Sequence, residues 1–372
     1  MNMNRHRPLL LVLGIFTCLY IVPVVAEAQN NDYYAHYNRY RFHELQMFPR
    51  SAAMGGAYSA LQGGEEALLG NPAAFGFLEK PYVMIGFDFQ EVASDVTLLD
   101  PMFPVEAENE LWDVGIGGAY PFDWGAVGLL YSYREDDMGT KGDVFAFPGF
   151  MNQEADMERH HVSVGAGYRI NEQWAVGYRY SYIDWELDTQ FNVTRPAPFV
   201  FATVGEEFQG HRNQVGVQYK LNRNLAFGLD GYYGLGDRDS DLMGNADADS
   251  WSIRGGVAWR FLEDIPLLAA MDLNYENRDL DGGLNDNEED FFSLHLGLEY
   301  EAYENLFIRA GYRYEDIEFD SPSTNIFEER SISGYSAGLG YKYGQFKIDY
   351  AFVFTDTASS DMGHYVGLGI EF

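Results

Sequence analysis

The chain has 372 residues, a formal net charge of −33, 27 Tyr, 27 Phe, 40 Gly and a single Cys. A chain this acidic offers no basic face to phosphates, which excludes a nucleic-acid partner. Its one cysteine, Cys18, falls in the N-terminal leader, leaving no disulfide or thiol chemistry for the rest.

Residues 1–28 read as a signal peptide. Arg5 and Arg7 precede the apolar run Leu9–Val25, and Ala26-Glu27-Ala28 supplies a small-x-small cleavage site after Ala28. The run is nearly long enough for an uncleaved anchor, but Pro23 and the cleavage-like end favour removal. No later apolar run reaches spanning length, so a helical inner-membrane bundle is excluded.

Residues 29–79 do not alternate. Tyr33, Tyr34, Tyr37 and Tyr40 come first, and small residues then crowd Arg50–Leu61 and Ala67–Phe75. Such residues permit close backbone approach, which predicts a hatch or plug packed inside a larger body. Asn71-Pro72 is a turn signal.

From residue 80 to 372 the chain alternates. The period-two pattern predicts fourteen strands at about 80–92, 110–120, 125–135, 158–170, 174–188, 208–221, 225–236, 249–261, 267–278, 290–301, 305–317, 328–343, 345–355 and 362–372, each long enough for a tilted span of about 9–11 residues. Short connections (Pro121–Trp124, Asn171–Gln173, Asn222–Asn224, Ala302–Glu304, Gly344) alternate with long ones (Ala93–Asn109, Asp136–Met157, Thr189–Glu207, Asp237–Ala248, Asp279–Glu289, Glu318–Phe327, Asp356–Asp361). Short periplasmic turns, long outer loops and an even strand count define an outer-membrane β-barrel. The predicted class is therefore all-β: a transmembrane antiparallel barrel of about 14 strands with an N-terminal lumenal hatch.

Parity supports this. Val162, Val164, Ala166 and Tyr168 face one way and His161, Ser163, Gly165, Gly167 and Arg169 the other; Leu306, Ile308 and Ala310 oppose Arg309, Gly311 and Arg313. An Arg or Lys facing lipid at the midplane costs about 2–4 kcal/mol, so the basic parity faces the lumen. In the last strand Val366, Leu368, Ile370 and Phe372 face lipid and Tyr365, Gly367, Gly369 and Glu371 face inward. The terminal aromatic, Phe372, looks like the assembly signal of such barrels, which brings the barrel assembly machinery and outer-membrane lipids in as partners.

The block Ala53-Met54-Gly55-Gly56-Ala57-Tyr58-Ser59-Ala60-Leu61, an acidic spacer with Glu65 and Glu66, and Asn71-Pro72-Ala73-Ala74 together resemble the start of the long-chain fatty-acid transporter (FadL-like) superfamily. The resemblance looks closest to its PorV/PorQ-type branch, to which Leu306–Tyr314, Ser336–Tyr341 and Ile348-Asp349-Tyr350 are also similar. It implies a fourteen-stranded barrel with a lumenal hatch whose motif is Met54, Gly55, Gly56, Ala57, Tyr58, Asn71, Pro72 and Ala73. It also implies two kinds of function. Fatty-acid transporters pass hydrophobic small molecules through the outer membrane, whereas PorV-type barrels hold secreted proteins for type IX secretion.

A conduit for hydrophobic solutes needs an apolar pocket. The predicted inner parity is largely Gly, Ser, Arg, Asp and Gln, so Leu61, Leu68, Leu69, Phe75 and Phe77 of the hatch are the candidate pocket residues. Two acidic stretches, Asp237–Asp249 and Asp279–Asp290, do not fit the EF-hand register and read as solvated outer loops, so no metal or other cofactor is expected. His160, His161, His211 and His364 fall near strand starts, but a rim hydrolase needs nucleophile, base and orienting group in mutual reach, which their spacing does not show. His295 reads as a lumenal hydrogen-bonding residue. Inward charges such as Arg169, Arg179, Arg309, Asp272, Glu299 and Asp349 read as a network holding the hatch rather than a charge filter. The functional expectation is a non-enzymatic outer-membrane barrel for passive transport of small or hydrophobic solutes, with the partner-binding scaffold as alternative.

Overall fold

The computed structural model describes residues 48–96, 105–141, 144–146, 149–195, 199–241, 244–261, 266–282, 287–321, 326–356 and 360–372. The expected signal peptide, Cys18 and the tyrosines at 33–40 lie outside the described residues. No described helix is long and apolar enough to cross a membrane.

Three short helical turns come first: Pro49–Ala53, Gly64–Leu69 and a 3-10 turn Pro72–Phe77. The strands follow as β1 (Tyr82–Val96), β2 (Val105–Phe122), β3 (Gly125–Lys141), β4 (Val144–Ala146), β5 (Gly149–Arg169), β6 (Trp174–Arg195), β7 (Phe199–Lys220), β8 (Leu225–Ser240), β9 (Ala246–Arg260), β10 (Leu267–Asp281), β11 (Asn287–Tyr303), β12 (Leu306–Ser321), β13 (Ile326–Tyr343), β14 (Phe346–Asp356) and β15 (Ser360–Glu371). Sequential strands pair antiparallel, β1 pairs with β15, and β3 pairs with β5 past the small β4. Fourteen strands thus close a barrel, which leaves no long unpaired edge in the bilayer.

All fourteen predicted strands are present and the turn-side connections are short. The long connections need correction. Asp136–Met157, Thr189–Glu207, Asp237–Ala248 and Asp279–Glu289 fold largely as continuations of the strands rather than as loops. Their sequences keep a period of two, but the apolar parity changes side. On β6, Tyr178 and Tyr180 face outward and are exposed, whereas beyond them Ile183, Trp185 and Leu187 are buried inside and Glu186 and Asp188 lie outside. The same change runs through β5 (Glu154, Asp156 and Glu158 out; Ala155 and Met157 in) and β12 (Asp316 and Glu318 out; Ile317 and Phe319 in). Where lipid ends, water replaces it outside the wall, and carboxylates become the stable outward residues.

The wall is uneven in height. β6 and β7 have 22 residues each, β14 has 11 and β15 has 12. Ten residues correspond to about 34 Å of strand, so the β5–β7 side rises well above the β14–β15 side. Below the parity change the outer surface is apolar, with Ile116, Leu129, Val164, Val215, Leu229, Ile253 and Leu368 all more than a third exposed. Aromatic pairs mark both margins: Phe122–Trp124, Trp174–Tyr219 and Trp259–Phe261 on the turn side, and Trp112–Tyr133 and Trp251–Tyr275 on the loop side. This is the double girdle of a barrel in lipid.

Candidate functional site

The lumen is built from two different inward surfaces, and β6 shows both along one strand. From its turn end, Ala175 packs with Ala73 and Phe77. Gly177 lies against Pro72, so closely that any side chain there would overlap its backbone. Arg179 then donates through Nη1 to the Leu68 carbonyl at 2.6 Å and through Nη2 to the Leu69 carbonyl at 2.8 Å. Beyond Ser181 the inward residues become Ile183, Trp185 and Leu187.

The turn-side half holds residues 48–78. Their apolar side chains contact wall residues on several sides of the barrel: Phe48, Leu68, Leu69 and Phe75 cluster with Tyr82, Met84, Ala119, Ala126 and Leu130; Met54, Ala57, Tyr58 and Leu61 with Ala258, Leu268 and Ala270; Ala52 and Ala53 with Ala351 and Tyr365. Gly55 and Gly56 take φ of 65° and 83°, a region that favours glycine. Their turn brings the Gly55 carbonyl within 2.7 Å of His295 Nδ1.

Backbone groups of this irregular segment need partners, since few of them bond within helices. The wall supplies them. Asp272 Oδ2 accepts the Tyr58 and Ser59 amides, both at 2.8 Å. Gln218 Nε2 donates to the Ser59 and Leu61 carbonyls, both at 2.8 Å. Arg169 donates to the Gly76 carbonyl and Ser336 to the Ala53 carbonyl. Asn71 caps the 3-10 turn by accepting the Ala73 amide at 2.9 Å, while its Nδ2 is within bonding range of the Ser59, Val217 and Leu229 carbonyls. Pro72 follows as first helical residue, where a missing amide costs nothing.

A chain of ion pairs binds the same segment to β11, β12 and β14. Arg50 grips Glu299 with two bonds of 2.9 Å and meets Glu66 at 2.5 Å. Arg309 joins Glu299 and Asp349, each at 2.7 Å; Lys347 continues from Asp349 at 2.9 Å to Glu65 at 3.6 Å. Glu65 in turn accepts the Ser51 amide. This network borders a cavity of about 500 Å³ on the turn side, lined also by Tyr82, Arg260, Phe307 and Lys342.

The hatch-motif residues are therefore brought together inside the barrel. The five proposed pocket residues are not. Leu61, Leu68 with Leu69 and Phe75, and Phe77 lie in three separate clusters, each spent on packing against the wall. In the loop-side half the inward apolar residues Met157, Ile183, Trp185, Leu187, Phe208 and Leu280 form one buried cluster, with Trp185 and Phe208 stacked at 5.5 Å. Phe291, Ile317 and Ile332 form another. Alternation shows these residues, but only if the parity change is read as a crossing from lipid to water. The four histidines are not assembled either: His160, His211 and His364 face outward and His161 faces in. Among the described residues no group of three His, Cys, Asp or Glu is placed to hold a metal. Phe372 is exposed at the turn-side margin, with its amide bonded to the Pro81 carbonyl at 3.1 Å.

Comparison with known proteins agrees with this architecture. The family model "Outer membrane protein beta-barrel domain" matches residues 200–342. That stretch lies within the closed barrel, and an outer-membrane β-barrel fold and domain imply the bacterial outer membrane. Its fold is similar to the Pseudomonas putida toluene transporter TodX (TM-score 0.62, 15% identity, 87% of this chain and 98% of that one). It is also similar to the Ralstonia pickettii toluene transporter TbuX (0.59, 15%, 89% and 100%) and to a Pseudomonas aeruginosa FadL homologue (0.60, 12%, 88% and 98%). At these identities the likeness is one of fold. A search of the curated proteins finds no match.

Proposed function

We propose that this barrel is a passive channel for hydrophobic solutes, with residues 48–78 as its hatch and no catalytic role. The observation that carries the reading is the cluster of inward apolar side chains around Trp185 and Phe208 in the loop-side half. An apolar solute leaving water gains about 25 cal/mol per Å² of surface that such a lining covers, and the outward carboxylates keep the same rim hydrated. The fold likeness to toluene transporters and a FadL homologue supports the reading, as does the polar anchoring of the segment beneath, which closes the turn-side half against free diffusion.

The test is uptake of a radiolabelled apolar solute, such as a monoaromatic hydrocarbon or a long-chain alkane, by cells that express the full chain. A Trp185→Asp/Phe208→Asp variant places charge on the lining. Uptake that rises with the wild type and falls to background with a folded variant is expected. Equal uptake by both would overturn the lining as entry surface, and no uptake with stable capture of secreted proteins would replace transport by a scaffold role.

A further inference from the structure

One arrangement recurs three times on the outer wall and has no part in the lumen. His160 on β5 lies opposite Tyr133 of β3, with its Nδ1 3.0 Å from the Tyr131 hydroxyl. His211 on β7 lies opposite Tyr182 of β6, with its Nδ1 2.6 Å from the Tyr180 hydroxyl. His364 on β15 lies opposite Phe352 of β14, with its Nδ1 2.9 Å from the Tyr350 hydroxyl. In each case the imidazole sits 5.1–5.3 Å from the ring directly across and bonds diagonally to the tyrosine two residues nearer the turn side. The three tyrosines are 38–40% exposed.

The height of these pairs is fixed by their neighbours. On β5 the outward residues run Glu158, His160, Val162; on β6 they run Tyr180, Tyr182, Asp184. The β3/β5 and β6/β7 pairs stand on the last step of hydrocarbon before the carboxylates begin, and the β14/β15 pair stands one step deeper, below Phe354 and Met362. Hydrogen-bond arithmetic adds the second element. A neutral imidazole and a phenol own one N–H and one O–H between them. The bond between them uses one, so each pair keeps one donor, either Nε2–H or the tyrosine O–H, turned toward the bilayer. An unused donor at the hydrocarbon edge is costly unless something accepts from it.

We infer that the three His–Tyr pairs are docking points for the acyl-ester carbonyls of outer-leaflet lipids. Ester carbonyls end the hydrocarbon layer at this depth. Lipid phosphates lie one step further out, where Glu158, Glu135 and Asp184 would repel them. The pairs occupy β3/β5, β6/β7 and β14/β15, so they grip the lipid boundary under both the tall and the low wall. The inference is independent of what the lumen carries.

The test reconstitutes the full chain in liposomes of ester-linked phosphatidylcholine, of its ether-linked analogue without carbonyls, and of a phosphate-free but ester-linked galactolipid. The readout is the temperature at which the folded band loses its heat-modifiable mobility. The expected result is a higher midpoint in both ester-linked lipids than in the ether lipid, a difference lost in H160F/H211F/H364F and kept in H160Q/H211Q/H364Q, where the amide retains a donor. If the triple Phe variant does not insert, each single Phe variant is expected to lose part of the difference. The inference is overturned if wild-type midpoints are equal in ester and ether lipids, if the difference follows the phosphate, or if no Phe variant reduces it.

Discussion

The two halves of the lumen are lined by opposite solutions to the same problem. On the turn side an irregular chain segment fills the barrel, and its unpaired backbone groups must be met by wall side chains in fixed positions: Arg179, Gln218, Asp272 and His295 each face a particular carbonyl or amide. On the loop side Met157, Leu187 and Phe208 pack in one apolar cluster, with Glu206 across from Leu187 and Arg238 across from Phe208 in the strand pairs. Hydrogen bonds and ion pairs depend on direction, while apolar packing depends mainly on volume. The turn-side half is therefore intolerant of chemical change, and the loop-side apolar cluster tolerates exchange among side chains of similar size. The proposed hatch uses the first property and the proposed solute entry uses the second.

Three substitutions test that contrast. Arg50→Ala removes the guanidinium shared by Glu299 and Glu66 and leaves both carboxylates buried without it. Breaking such a pair costs about 3–5 kcal/mol, and the segment it holds should loosen. The expected outcome is a lower denaturant midpoint together with raised ion conductance in planar bilayers; wild-type conductance would mean that the segment is held elsewhere. Asp272→Asn conserves size but removes the charge that receives two amides. A loss of about 1.5–3 kcal/mol is expected, read from the same midpoint, and a neutral result would show that shape alone seats the segment. Leu187→Met changes shape at nearly constant volume in the apolar half and should cost less than about 1.5 kcal/mol, with conductance unchanged. A loss as large as that of Asp272→Asn would erase the distinction between the halves.

Much of this was legible in the residues. The strand number, the closing of residues 80–372 into a barrel and the outward parity of Val164, Ile308 and Leu368 follow from a period of two and the cost of basic groups in lipid. Small residues around Met54–Tyr58 and Asn71–Ala73 announce a segment pressed against other backbone. The loop-side half is less legible because its acidic alternation also fits a solvated loop. Glu154–Glu158 and Asp184–Asp188 alternate as well as any membrane strand, but with the apolar residues on the inward parity. The hatch leucines and phenylalanines suggested a pocket because composition does not say whether an apolar side chain lines a space or fills it.

By itself, then, the sequence determined the local and periodic properties: which segments extend, which face of each meets lipid, and where glycine must stand. Those depend on neighbours one or two residues away and on the solvent outside the wall. Only the tertiary structure decided that Arg50 meets Glu299, that Asp272 receives Tyr58 and Ser59, and that Trp185 stacks on Phe208. Such pairings join residues as far as 249 positions apart, and they exist only once closure of the barrel has set every strand in register around one lumen.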